Sequence, residues 1–197
     1  MKIKKSISGG AVLLLALIYF FGGIRSLAAL MLAVAAHESG HIVFIRLLGG
    51  KVRGIRFGAS GFCIDYSGLN EAAGEFTAIL AGPLCGIAFA LIASKLGNIY
   101  QNSLLLETAG LSFLLSAYNL LPALPLDGGR LMLLVMISLF GSEKAEVYIE
   151  NSGMLTGLVL TFAGLYFLGK VQGAAFLIAG IWVLIAQTGI VKSMRVL

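Results

Sequence analysis

The sequence predicts an all-α polytopic membrane protein, and three observations lead there. Of the 197 residues, 59% are hydrophobic and 12% charged, where soluble domains carry roughly a quarter charged. Apolar stretches long enough to span a bilayer, about 20 residues at 1.5 Å rise each, fall at 7–24, 27–48, 74–95, 104–121, 151–168 and 174–191. With six spans, the clustered basic residues all lie on one side, which the positive-inside rule assigns to the cytoplasm.

The first stretch follows Lys2, Lys4 and Lys5. It reads as a span rather than a cleaved leader, because Gly22-Gly23-Ile24-Arg25 offers no small-residue cleavage site and only a short turn precedes the next stretch. Arg46, Lys51, Arg53 and Arg56 follow the second stretch, and Lys192 and Arg195 follow the sixth. Lys95 and Lys170 are single charges on the far side. The expected topology is multi-pass in the cell membrane with both termini cytoplasmic. This bias, with its attraction to anionic lipid headgroups, accounts for the net charge of +5 and leaves no call for a nucleic-acid partner.

The second stretch holds the chain's two histidines, four apart in His37-Glu38-Ser39-Gly40-His41. On a helix, residues i and i+4 share a face, so both imidazoles can bind one Zn²⁺ while Glu38 reaches the attacking water as general base, the H-E-x-x-H chemistry. Ionisable residues inside a span cost roughly 2.5 to 3.5 kcal/mol each on insertion scales. A structural polar cluster would explain Glu38 or one His, but not the whole spacing. Taking Arg46 as the cytoplasmic boundary puts His41 and His37 roughly 7 and 13 Å beneath it at 1.5 Å per residue, open to cytoplasmic water.

Between the second and third stretches, 51–66 alternates around Ile55-Arg56-Phe57 and Phe62-Cys63-Ile64-Asp65-Tyr66, with Gly-Ala-Ser-Gly between. That pattern predicts a membrane-associated β-hairpin. It either covers the site or holds an extended substrate along a strand edge. The third stretch opens on Glu71 and Glu75, acids that suit a helix N-terminus, and contains Ala81-Gly82-Pro83, which permits close packing on the histidine helix. Cys63 and Cys85 lack metal-ligand spacing and read as packing residues.

A catalytic zinc usually has three protein ligands and an open position. With no third His, the search falls on nine acidic residues. Glu38 is reserved as base, Glu143, Glu146 and Glu150 sit in a hydrophilic connector, and Glu107 lies toward the opposite face. Asp127 is the best candidate among those that remain, in Asn119-Leu-Leu-Pro122-Ala-Leu-Pro125-Leu-Asp127-Gly-Gly-Arg130 at the end of the fourth stretch. Its two prolines break the helix, which at membrane depth needs protein or a water-filled cavity around the irregular chain. Asp127 equally suits the N-cap of an apolar helix from Leu131 to Phe140, a role compatible with ligation. Asn119 reads either as an interhelical hydrogen-bonding group or as a substrate contact. Gln187, in the sixth stretch, has no partner evident in the sequence.

These motifs together resemble the site-2 protease family of intramembrane zinc metalloproteases (peptidase family M50). His37-Glu38-Ser39-Gly40-His41, Ala81-Gly82-Pro83 and Asn119-x-x-Pro122-x-x-Pro125-Leu-Asp127-Gly carry the resemblance over about 27–130, in the family's order. The last run looks most like the sporulation stage IV FB branch, which processes a sigma-factor precursor. The resemblance implies one zinc per chain on His37, His41 and Asp127, with Glu38 activating water and Asn119 contacting the substrate or its oxyanion. It implies a three-helix catalytic core within 27–140, with 7–24, 151–168 and 174–191 peripheral, so that 1–197 is a single membrane protease domain. The expected substrate is a transmembrane or membrane-associated protein, and partner inhibition belongs to the same branch. One departure is that no cytoplasmic CBS domain follows the last span before Leu197, and no PDZ-like insertion interrupts the chain.

Two other classes compete. A divalent-metal transporter would also place His and acidic groups in the membrane, but it needs a polar path across the whole bilayer, and the last two stretches offer only Gln187. A noncatalytic membrane adaptor would keep the fold without need of complete motifs.

Overall fold

The structure, a computed structural model, describes residues 4–7, 9–58, 61–69, 71–169 and 171–194. Lys2, Lys170 and Arg195 of the charge pattern, and Ala59 and Ser60 of the hairpin turn, lie outside them. The chain divides into two compact units, Met1–Tyr118 and Asn119–Leu197.

In the first unit, β1 (Lys4–Ile7) is followed by α1 (Gly9–Leu47), β2 (Lys51–Gly58), β3 (Gly61–Ser67), α2 (Ala72–Ile99) and α3 (Ser103–Asn119). The first two predicted spans are one helix, α1, interrupted at Gly23 (φ 71, ψ −176). Only glycine adopts that φ at little cost, so the Gly22-Gly23 pair makes a kink where a turn was expected. At its other end, α1 stops in a Schellman motif. Gly49 turns left-handed at φ 85, its N–H donates to the Arg46 carbonyl at 3.1 Å and that of Gly50 to Ile45 at 2.8 Å.

The expected hairpin is present. β2 and β3 pair antiparallel with Ile55 opposite Ile64, and a bulge between Val52 and Gly54 shifts the register. Arg56 Nη2 donates to Asp65 Oδ1 at 2.7 Å, and Tyr66 Oη donates to Glu75 Oε1 at 2.8 Å, tying β3 to the first turn of α2. β1 adds a parallel third strand on β2, which the sequence pattern did not suggest.

Helices α1, α2 and α3 meet through small residues. Without side-chain bulk at Gly40, α1 comes so close that a Cβ there would stand 2.6 Å from the Ala81 carbonyl oxygen of α2. From α3, Thr108, Ser112 and Ser116 form a buried stripe at i, i+4, i+8. Ser112 Oγ donates to the Gly86 carbonyl at 2.8 Å, and the Ser116 hydroxyl lies in the notch left by Gly86. Such contacts substitute for the hydrophobic effect, which gives helices in lipid no reason to associate. Ser26 Oγ donates to Glu107, and Arg25 lies 3.4 Å from the same carboxylate.

The second unit contains α4 (Asp127–Phe140), α5 (Ser142–Tyr166) and α6 (Val171–Met194). The connector expected around Glu143, Glu146 and Glu150 is helical. Gly141 (φ 81) separates it from α4, and its Ala, Glu and Lys residues are strong helix formers. α5 presents Gly153, Gly157 and Gly164 to α6, where added Cβ atoms would collide with Gln187, Leu184 and Leu177 respectively.

Among the described residues, Gly22–Leu47 and Ala72–Ile99 are long and apolar enough to cross a membrane, and Gly173–Thr188 is a shorter apolar stretch. Large side chains such as Phe20, Leu47, Leu91 and Ile185 point outward, as lipid-facing positions do.

Candidate metal centre

The site starts from one helical turn of α1. His37 and His41 are 3% and 8% exposed, and their rings meet edge to face with centroids 5.0 Å apart. The two Nε2 atoms stand 3.3 Å apart. On its other side, His41 Nδ1 lies 2.9 Å from the Ala78 carbonyl oxygen. That carbonyl can only accept, so it holds the proton on Nδ1 and leaves Nε2 as a lone pair facing His37, the arrangement that orients metal-bound imidazoles. The fit to a metal is quantitative. Two nitrogens bound to one tetrahedral zinc at 2.0–2.1 Å stand roughly 3.3 to 3.4 Å apart.

α2 is shaped around these rings. Pro83 has no N–H and crowds the carbonyl one turn back, beside the turn whose Ala78 carbonyl serves His41. A Cβ on Gly82 would overlap the His41 imidazole, and one on Gly86 would stand 3.7 Å from His37 Nδ1. The packing expected of Ala81-Gly82-Pro83 is therefore present, and it is closer than expected. The supporting Ala78 carbonyl and Gly86 went unnoticed in the sequence. The four-residue spacing of Gly82 and Gly86 is a signal that could have found the latter, whereas no sequence signal marks a backbone carbonyl. Glu38 is half-buried on the same helix, and Ser39 turns its hydroxyl back to the Ala36 carbonyl at 2.8 Å, off the site.

Asp127 is built by the second unit. It is 8% exposed and opens α4, whose N-cap is Leu126 without a side-chain cap. This corrects the expected capping role, since Asp127 stands one residue inside the helix with its carboxylate in the first turn, where the dipole favours negative charge. Before it, the chain from Leu120 to Leu126 is irregular and includes a cis Leu124–Pro125 bond. It folds back on α4 so tightly that a Cβ on Gly128 would stand 2.6 Å from the Leu121 carbonyl oxygen, and one on Gly129 2.6 Å from the Leu124 nitrogen. The two glycines after Asp127 thus let the loop close over the helix start. Asn119 ends α3 and is half-buried.

Comparison with known proteins agrees with this architecture. The whole-chain fold matches the site-2 protease from Methanocaldococcus jannaschii with a TM-score of 0.73, at 21% identity over 96% of this chain and 92% of that one. Residues 94–164, which include Asn119 and Asp127 but not the histidines, match the model of peptidase family M50. The chain is 31% identical over 131 residues to stage IV sporulation protein FB of Bacillus subtilis, covering 64% of this chain and 45% of that protein. It is 29% identical over 141 residues to a zinc metalloprotease of Methanocaldococcus jannaschii, covering 69% and 41%. The chain spans less than half the length of these curated relatives. It has the fold of a site-2 protease. Part of the chain is similar to the peptidase family M50 model and to these metalloproteases.

Proposed function

We propose that this chain is an intramembrane zinc endopeptidase that hydrolyses a peptide bond in or near a transmembrane segment of a membrane-tethered protein. The observation that carries the reading is the 3.3 Å separation of the two histidine Nε2 atoms, the edge of a tetrahedral zinc site. In this reading Asp127, itself buried, supplies the third ligand beside His37 and His41. Two imidazoles and a carboxylate are the donor set of zinc peptidases, which leave a fourth position open.

When bound, zinc supplies Lewis acidity toward the scissile carbonyl and lowers the pKa of water. Glu38 takes the proton of the attacking water and delivers it to the leaving amine. Asn119 holds the substrate backbone or the developing oxyanion. A helical substrate has its backbone hydrogen bonds satisfied and must unwind before attack. The irregular 120–126 segment and the β2–β3 hairpin are the elements suited to holding the unwound strand. The whole chain acts as one protease domain crossing the membrane six times, with both termini and the site's opening toward the cytoplasm. By analogy with the sporulation relative, a membrane-tethered sigma-factor precursor is the substrate to try first, with an inhibitory membrane partner as the regulator.

The test is Glu38→Gln in the full chain, co-expressed with a membrane-tethered substrate. Cleavage should fall by at least about 10²-fold, the usual worth of a general base, while bound zinc stays at one equivalent. Undiminished cleavage would refute the mechanism. Metal uptake into vesicles that survives the substitution would instead indicate transport.

A further inference from the structure

Asp127 hangs on a segment that has almost no regular hydrogen bonding of its own. Within Leu120–Leu126 the internal backbone bonds are Ala123 N–H to the Leu121 carbonyl at 2.8 Å and Leu126 N–H to the Ala123 carbonyl at 2.9 Å. The carbonyls of Pro122 and Leu124 take their donors from outside. Gln187 of α6, 3% exposed, donates from Nε2 to the Leu124 carbonyl at 2.7 Å. Ser152 of α5 places its Oγ 2.8 Å from the Pro122 carbonyl and 3.1 Å from Ile149 of its own helix, a hydroxyl shared between loop and helix.

The path of the glutamine is prepared. Gly153 of α5 faces the Gln187 amide, and a Cβ on it would overlap Cδ and Nε2. Bare backbone at this one position lets the amide cross α5 and reach the loop. A primary amide buried in an apolar helix costs free energy unless it is hydrogen-bonded. A leucine would pack α6 against α5 without that cost. The glutamine is therefore spent on the loop rather than on the helix pair.

We infer that Gln187, seated in the Gly153 notch, and Ser152 are positioning residues that hold the broken 120–126 segment through its carbonyls and so fix where Asp127 presents its carboxylate. The inference rests on the proposed reading of Asp127 as a metal ligand. Their action is indirect, because both side chains act on carbonyls of the loop that carries Asp127. Outer groups that orient a ligand commonly change metal affinity 10- to 100-fold when lost.

The experiment compares the full chain in detergent with Gln187→Met, which keeps length and loses the donor, and with Gly153→Ala, which keeps the glutamine and blocks its path. Amide exchange of 120–130 should accelerate at least about tenfold in both variants, while the α1 and α2 amides stay as they are. Zinc affinity, measured by chelator competition, should weaken about 10- to 100-fold. Ser152→Ala should give a smaller effect of the same sign. Unchanged exchange across 120–130 would overturn the inference. So would a lowered thermal midpoint with zinc affinity within twofold of the parent, the result expected of mere helix packing. If the parent chain holds no zinc at all, the reading of Asp127 as ligand falls, and the exchange arm still decides whether the clamp exists.

Discussion

Gly82→Ala places one methyl group against His41, a ligand in the proposed metal site, without altering any polar atom. A Cβ built on Gly82 stands 2.7 Å from Cδ2 of His41 and closer still to Cε1 and Nε2. Ordinary contact begins near 3.4 Å, so Cδ2 must retreat by about 0.7 Å and Nε2 by more. The ring cannot yield by rotation alone. Its Nδ1 is held at 2.9 Å from the Ala78 carbonyl, and Nε2 would leave the 3.3 Å spacing from His37. A misplacement approaching 1 Å at a reacting centre costs about 10²-fold, so zinc affinity and cleavage should each fall by about that factor. Gly74→Ala, in the first turn of the same helix, is the control. Nothing lies within 4 Å of its Cβ, and helix propensity favours alanine by up to about 1 kcal/mol. Zinc is measured by chelator competition, folding by thermal unfolding in detergent. Gly82→Ala binding zinc as tightly as the parent, with its helices intact, would refute the claim that α2 is shaped around His41.

The other predictions concern different parts of the chain. His37→Ala and Asp127→Asn should each remove a ligand and reduce bound zinc well below one equivalent at micromolar metal, read by elemental analysis after gel filtration; full occupancy in either would remove that residue from the donor set. Gly49→Ala, at φ 85 in the Schellman turn, should lower stability by about 1 kcal/mol through backbone strain, with zinc affinity unchanged because the turn lies two helical turns beyond His41.

Much of the fold was legible because lipid imposes simple rules. Backbone groups in hydrocarbon must pair within their own segment, so apolar stretches of sufficient length become helices, and helices stand over all six predicted stretches. The hairpin was legible from alternation in Ile55-Arg56-Phe57 and its partner strand. Merging of the first two stretches into α1 was not, since Gly22-Gly23 can make either a turn or a kink and only the packing chooses. The helical connector after Gly141 was hidden by its charge, although glutamate, lysine and alanine are good helix formers. β1 was also hidden, because four residues of Lys-Lys-Ser-Ile carry no alternation, and a parallel partner is distant in sequence.

The site divides in the same way. Sequence alone determined that His37 and His41 share a helix face, since 3.6 residues per turn leaves no other outcome, and that Glu38 lies beside them. It determined too that the helix must break between Pro122 and Pro125, where proline withholds N–H groups. Only the tertiary structure decided that Ala78 fixes the His41 tautomer, that Gly82 and Gly86 clear space for the rings, and that Asp127 stands inside α4 rather than capping it. It also supplied the partner of Gln187, the Leu124 carbonyl 63 residues away in the chain. Local periodicity follows from backbone geometry and can be read along the chain, whereas a carbonyl, a missing Cβ or a distant acceptor acquires its role only when packing brings it within hydrogen-bond reach.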